Sequence, residues 1–396
     1  MHRSPVRRNS PATGMMDDMG DEAGGAREQT SRLLWESCRR DPDASAVRHA
    51  LAEGADTDLA AAAAAEHGIE PLLLRALSAA GKCDALGPHE EMLRAVTDAR
   101  RMEALLLIPA AVAQAVQPLN EAGLMPLVFK GPAVASRYPE PGLRPMGDID
   151  LLLPVADHRR ALEVLQEAGW RVVRERGSAH YDTVLIHDRV PSLSLELHFE
   201  LEPHAERLTS LDAAALWERR VPVSCVGISA FGLSEADELV VLAAHAGKPF
   251  HGFTRLVWIA DFAMIIGDSQ ERGSPIDWEG VRAAAERARC VTVVGAALRM
   301  ARHAGVDAPL DLFPLPTHGW RGHTLQQLLS VNWPLATHDL HRYQLTYALT
   351  DAPAKRVRSL LVPIRNWHGL EMRLRSIGKG WRDAFGWQQR RAVRAP

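Results

Sequence analysis

Two aspartates, Asp148 and Asp150, open the short apolar run DIDLLLP and form the most chemically pointed pair in the chain. In an extended strand alternate residues face the same way, so the two carboxylates share one face while Ile149 and Leu151 anchor the other. Neighbouring carboxylates repel. A hard divalent cation such as Mg²⁺ relieves that repulsion and keeps coordination positions for phosphate oxygens and water. Upstream, LVFKG ends in Gly131, where the backbone can approach a ligand closely, with Lys130 beside it and Arg144 four residues before the first aspartate. Those cations would neutralise a polyphosphate. Downstream, Glu196 lies on the polar face of SLELHFEL with His198 and Glu200. A neighbouring strand would deliver Glu196 beside the aspartate pair. Three carboxylates around one or two Mg²⁺ ions are the equipment for in-line attack of a hydroxyl on a nucleotide phosphate.

Such side chains need rigid strands beneath them, and the surrounding sequence supplies a small sheet. LVFKG is a short apolar run stopped by Gly131 and Pro132, and DIDLLLP is a second. DHRRALEVLQEAGW follows, where Ala161, Leu162, Leu165 and Ala168 give a helix its apolar stripe and Gly169 ends it. WRVVRER, YDTVLIHD and SLSLELHFEL read as further strands, the last with Leu193, Leu195, Leu197 and Phe199 alternating against polar neighbours. Residues 124–205 are therefore expected to form an α/β core.

Residues 29–123 and 206–350 read as helical regions on either side of that core, with Ser234 a good helix cap and Gly267 a helix stop. The expected fold class is α+β, a small mixed sheet between helical flanks. Residues 1–28 hold almost nothing apolar and are expected to be a disordered tail. Residues 351–396 are basic, with Trp367, Trp381, Phe385 and Trp387 interleaved, a pattern for weak contact with an anionic membrane surface or for a solvated tail.

Composition narrows the partners. Of 396 residues, 46% are hydrophobic and 24% charged, which excludes wholesale disorder and a small disulfide scaffold. Lys and Arg total 46 against 49 Asp and Glu, a net charge of -3, so the chain as a whole has no electrostatic reason to coat nucleic acid. Cys38, Cys83, Cys225 and Cys290 are scattered without a C-x-x-C pair, which fits a reducing compartment and no structural zinc. The apolar run Ala104–Ala113 contains Pro109 and is short for a membrane span, and the N-terminus lacks the apolar stretch of a secretory leader. A cytoplasmic location is the expectation.

A strand ending in Gly, D-x-D opening the next strand, and a third acid on a later strand together resemble the DNA polymerase β-like nucleotidyltransferase superfamily. More narrowly, FKGPAVASRYPEPGLRPMGDIDLLL resembles a largely uncharacterised bacterial nucleotidyltransferase family with an L-K-G…R-x-x-x-D-h-D-h signature. SAHYDTVLIHD, LELHFEL and HAGKPFHGFTRLVWIADFA are similar to that family's later segments, so the resemblance spans about residues 31–345. It implies Asp148, Asp150 and Glu196 as metal ligands and catalytic acids, with Lys130, Gly131, Arg144 and His198 at the nucleotide. The implied cofactor is Mg²⁺, the donor an NTP, and the acceptor a hydroxyl of a small molecule, peptide or protein. One residue departs from the superfamily: Pro132 stands where Gly or Ser is usual and offers no N–H to a phosphate oxygen.

Two other functions fit the same residues. The resemblance extends to tailoring enzymes encoded beside peptide natural products such as lasso peptides, for which a nucleotide sugar would be the donor and a glycosyl group the cargo. A catalytically inactive binding module is the non-enzymatic alternative. Among the remaining residues, His245 and His251 read as core or surface histidines, Trp258 as core, and Arg255 with Asp261 as an ion pair between helices.

Overall fold

The computed structural model describes residues 14–175, 182–190, 193–202, 209–248, 251–336, 342–353 and 355. The chain begins with α1 (Gly14–Ser37), α2 (Ala44–Ala52), α3 (Thr57–His67) and α4 (Glu70–Ala79). Asp43 and Asp56 start α2 and α3 by accepting backbone N–H groups of the first turn, and Gly68 ends α3 in the left-handed region at φ 66°. The expected disordered tail is corrected in part, because α1 is already helical at Gly14. Thr30, Ser31, Leu33 and Leu34 are buried, and a helix nucleated by that packing extends at low cost into the polar residues before it.

α5 (His89–Met102) passes through a π-helical turn, Glu103–Leu107, into α6 (Ile108–Glu121). The result is one helix of 33 residues, His89–Glu121, long and apolar enough by length and composition to cross a membrane. Pro109 does not end it, since it falls in the first turn of α6. The buried face of α6, with Ala111, Val112, Ala115, Val116 and Leu119, belongs to the same core cluster as Val128, Ile149 and Leu195.

Those last residues lie in β1 (Leu127–Phe129), β2 (Asp148–Leu152) and, further on, β5. Between β1 and β2 comes the short α7 (Gly131–Ala135), and after β2 come α8 (His158–Glu167), β3 (Trp170–Arg174), β4 (Asp182–His187) and β5 (Ser194–His198). The core does not stop near residue 205 as expected. After α9 (Ala213–Glu218), β6 (Val221–Cys225) and β7 (Ile228–Gly232) form a hairpin whose β7 pairs in parallel with β1. The sheet therefore has seven strands in the order β3-β4-β5-β2-β1-β7-β6. Pro222 is tolerated because β6 is the edge strand of this order.

Register decides which side chains meet. β2 and β5 run parallel with Asp148 opposite Ser194, Asp150 opposite Glu196 and Leu152 opposite His198. β1 runs antiparallel to β2 with Phe129 opposite Asp150. Paired residues point to the same side of a sheet, so the acids, His198 and Phe129 share one face. Ile149, Leu151, Leu195 and Leu197 point the other way, into the core beneath α6 and α8.

The acidic face looks toward the larger helical core. That core gathers α1 to α4 with α10 (Glu235–Ala246), α11 (Leu256–Glu271), α12 (Trp278–Arg287) and α13 (Val291–Ala301). α14 (Gly319–Leu328) and α15 (Arg342–Leu349) complete the described elements. The two helical regions that the sequence separates thus share one apolar cluster, in which Leu33 and Leu77 join Phe262 and Leu298. Gly267 is not a stop but an interior residue of α11; a Cβ there would fall 2.3 Å from Cδ of Arg40, so the helix stays glycine where that side chain crosses it. Most of the basic tail, residues 356–396, and His180 lie outside the described residues.

Candidate active site

Lys130 occupies the turn between β1 and α7 at φ 52°, ψ −130°, a left-handed backbone that costs a non-glycine residue strain. The strained turn places its ammonium where it pairs with Asp150, Nζ to Oδ1 2.6 Å, and 4.7 Å above the Phe129 ring. Gly131 follows because the start of α7 crosses close to β2: a Cβ at Gly131 would stand 3.0 Å from the Asp148 carbonyl oxygen. Pro132 fits at the start of α7, where a missing N–H costs no helical hydrogen bond.

On the neighbouring strand, His198 is buried against the edge of Phe129, with ring centroids 5.2 Å apart. Its Nε2 lies 2.8 Å from Asp150 Oδ1 and 3.3 Å from Glu196 Oε2. Burial alone would lower the imidazole pKa, but hydrogen bonds to Asp150 and Glu196 outweigh it and raise the pKa above the ordinary value. Burial likewise opposes ionisation of Asp150, yet the Lys130 charge and the His198 hydrogen bond hold that carboxyl well below the usual range. The His198 hydrogen bond also lowers Glu196. Asp148 makes no such hydrogen bond among the described residues, and the charges of Lys130 and Arg144 only partly offset its burial. Burial, aided by the charge of Asp150, pushes its pKa up to about 6.

This is the arrangement a divalent cation relieves. Ligand atoms of Asp150, Glu196 and His198 all lie within 4.8 Å of one another, and Asp148 follows on the same face two residues before Asp150. Oxygen donors from the three carboxylates suit Mg²⁺. A set that used His198 would suit a softer ion and would first have to release the imidazole proton.

The acids open into a cleft of about 340 Å³. One wall carries Lys130, Gly131, Arg144, Asp148 and Asp150; the other carries Leu242, His245, His251, Arg255, Val257 and Trp258, with Gly68 beside Arg255. A second cavity of about 400 Å³ adjoins it, sharing Pro145, Met146, Gly147 and Arg255 and extending to Arg100, Glu103, Leu107 and Leu193. Met102, Leu105 and Leu106, on and beside the π turn, are exposed.

Lys130, Gly131, Arg144, Asp148 and Asp150 all line this cleft, and strand register sets Glu196 and His198 beside Asp150. Arg144 is already paired. Its Nε and Nη2 donate to the two oxygens of Asp261 at 2.7 and 2.9 Å, and Tyr138 Oη donates to the same carboxylate at 2.8 Å. The expected pair of Arg255 with Asp261 is corrected accordingly. Asp261 is fully buried on α11, and Arg144 reaches it from the loop that leads into β2. Arg255 is exposed at the mouth of α11 and makes no ion pair among the described residues. Gly68 gives it room, because a Cβ there would stand 3.1 Å from its Nη2.

Lys248 is a second cation that the motif reading passes over. Its Nζ donates to the Leu201 carbonyl at 3.0 Å, and burial together with the charge of Lys130 lowers its pKa to about 8. Its only signal in the sequence is its place in HAGKPFHG, beside the histidines of the same wall. His187 has no part in the cleft; it is buried with its ring edge-on to Trp170.

A model of an uncharacterised nucleotidyltransferase family matches residues 53–304. The match covers more than half of the 396 residues, and the chain belongs to that family. Membership implies a nucleotide as substrate, and it spans every residue of the cleft described above. No curated protein matches the chain, and no solved structure does.

Proposed function

We propose that this member of the nucleotidyltransferase family moves a nucleoside monophosphate from an NTP to the hydroxyl of a small molecule, peptide or protein. One observation carries the reading. Parallel pairing of β2 with β5 sets Asp150 opposite Glu196 on the face that holds Asp148, and Lys130 closes on the same point from the β1 turn.

Asp148, Asp150 and Glu196 would hold Mg²⁺, whose positive charge, when bound, supplies stabilisation of the attacking and leaving oxygens. Lys130 pairs with phosphate oxygens from the acid side, and Arg255 reaches them from the opposite wall. The acceptor hydroxyl enters from the cavity shared at Pro145–Gly147 and attacks the α-phosphorus. A new O–P bond forms as the bond to the β-phosphate oxygen breaks, and pyrophosphate leaves with that electron pair. The hydroxyl proton passes to Glu196, which stays anchored through His198. His198 and Phe129 position the carboxylates.

Supplying the chain with NTPs labelled at the α-phosphorus, together with Mg²⁺ and a panel of hydroxyl acceptors, tests the reading. Label on the acceptor with release of pyrophosphate is the expected result. Transfer of a sugar from a nucleotide sugar, with no transfer from any NTP, would assign glycosyl transfer instead.

A further inference from the structure

The wall opposite the acids is aromatic in a way that phosphate chemistry does not use. His251 stacks on Trp258 with ring centroids 4.7 Å apart and planes 29° apart. His245 meets His251 at 4.5 Å and Trp258 edge-on at 5.5 Å. All three rings line the same cleft as Lys130, Asp148 and Asp150.

Hydrogen bonds tie the wall to its neighbours. His251 Nδ1 lies 2.8 Å from the His245 carbonyl oxygen, which fixes the ring. Phe253, just beyond, sits at φ 56° with its N–H donating to the Ala246 carbonyl at 2.8 Å, and its own carbonyl accepts from Trp333 Nε1. Gly247 lets this turn pass α13, since a Cβ there would fall 2.3 Å from Val293 Cγ2.

Core packing alone would leave these rings buried and their polar atoms satisfied. Trp35, Trp170, Trp217 and Trp333 each donate the indole N–H to a backbone carbonyl. Trp258 is only half-buried, and its indole makes no hydrogen bond among the described residues. The indoles of Trp278 and Trp320 also make no hydrogen bond among the described residues, and neither lines the cleft. His245 Nδ1 is shielded from solvent and has no hydrogen-bond partner among the described residues. Burial and the charges of Lys130 and Lys248 hold its pKa well below the usual value, so the ring stays neutral, with one nitrogen to donate and one to accept.

Resting on the reading of the cleft as a nucleotide site, we propose that the His245–His251–Trp258 wall receives the donor's nucleobase. The base stacks on Trp258, and its phosphates run across the cleft to Lys130. Stacking tolerates any base, because every base has a π face; His245 meets its edge.

Calorimetric titration of the full chain with ATP, GTP, CTP, UTP and inorganic tripolyphosphate, all with Mg²⁺, tests the proposal on the wild type, Trp258→Leu and Trp258→Phe. Trp258→Leu is expected to weaken NTP binding about 5- to 100-fold while leaving tripolyphosphate within about twofold. Trp258→Phe, which keeps a ring, restores most of the loss. The proposal is overturned if Trp258→Leu leaves NTP affinity unchanged or weakens tripolyphosphate as much. It is also overturned if the wild type binds tripolyphosphate as tightly as any NTP, an outcome that leaves the phosphate site standing. Wild type that binds none of these compounds removes the nucleotide reading itself, and the base site with it.

Discussion

Arg144 and Asp261 hold each other through two hydrogen bonds of 2.7 and 2.9 Å and so tie the loop entering β2 to helix α11. Because the carboxylate is fully buried, removing the guanidinium leaves a charge with no solvent to take its place. Arg144→Ala is expected to lose about 3–5 kcal/mol of stability in chemical denaturation. Arg144→Lys recovers little, since an ammonium cannot bridge both oxygens. Unchanged stability with weakened nucleotide binding would instead make Arg144 a phosphate ligand.

The same pair marks the limit of what the sequence discloses. Strands β1, β2 and β5 are legible because apolar runs of the right length end in Gly or alternate cleanly, and spacing alone puts Asp148 and Asp150 on one face. Pairing across 117 positions leaves no local trace, so Asp261 was matched to the nearer Arg255. Pro222 and Ser224, on the exposed side of β6, hide that strand in the sequence. α1 was hidden because its polar early turns are recruited by the packing of later ones. Trp258 reads as core and His245 and His251 as core or surface, because a Trp or His in a helix or turn carries no signal of what it faces.

The two aspartates separate folding from chemistry. Asp150→Ala leaves the buried Lys130 ammonium without its anion and takes a hydrogen-bond partner from His198, and about 3 kcal/mol of stability should be lost. Asp148→Asn removes a carboxylate already disfavoured by burial and should leave the fold intact, with a small gain in stability above pH 6. Turnover should fall at least about 100-fold in both. Thermal melts run beside the transfer assay distinguish the two cases.

Arg255→Gln is expected to behave as the opposite of Arg144→Ala. Stability should change by no more than about 0.5 kcal/mol, since the side chain is exposed and makes no ion pair among the described residues. NTP affinity should fall about 10-fold, and the difference from wild type should shrink as ionic strength rises and screens the guanidinium. Affinities measured at two salt concentrations check both points.

Glu238 gives the fold a pH dependence away from the cleft. Burial raises its pKa to about 7, with Arg137 at 3.8 Å only partly offsetting the cost. The folded value lies above the unfolded one, so the stability contributed by this group is complete below about pH 4.5 and is lost as pH rises through 7. Glu238→Gln should remove that loss, making the protein more stable than wild type at pH 8 by up to about 3 kcal/mol and no more stable at pH 4. Denaturation curves at both pH values measure the difference.

The central claim is that Asp148 and Asp150 make a cation-dependent nucleotide site with Lys130. Its most direct test is calorimetric titration of the full chain with NTP, with and without Mg²⁺, in the wild type and in Asp148→Asn. The account predicts NTP binding that needs Mg²⁺ in the wild type and is lost in the folded variant. Binding that is equal in the two proteins, or that ignores Mg²⁺, would contradict it.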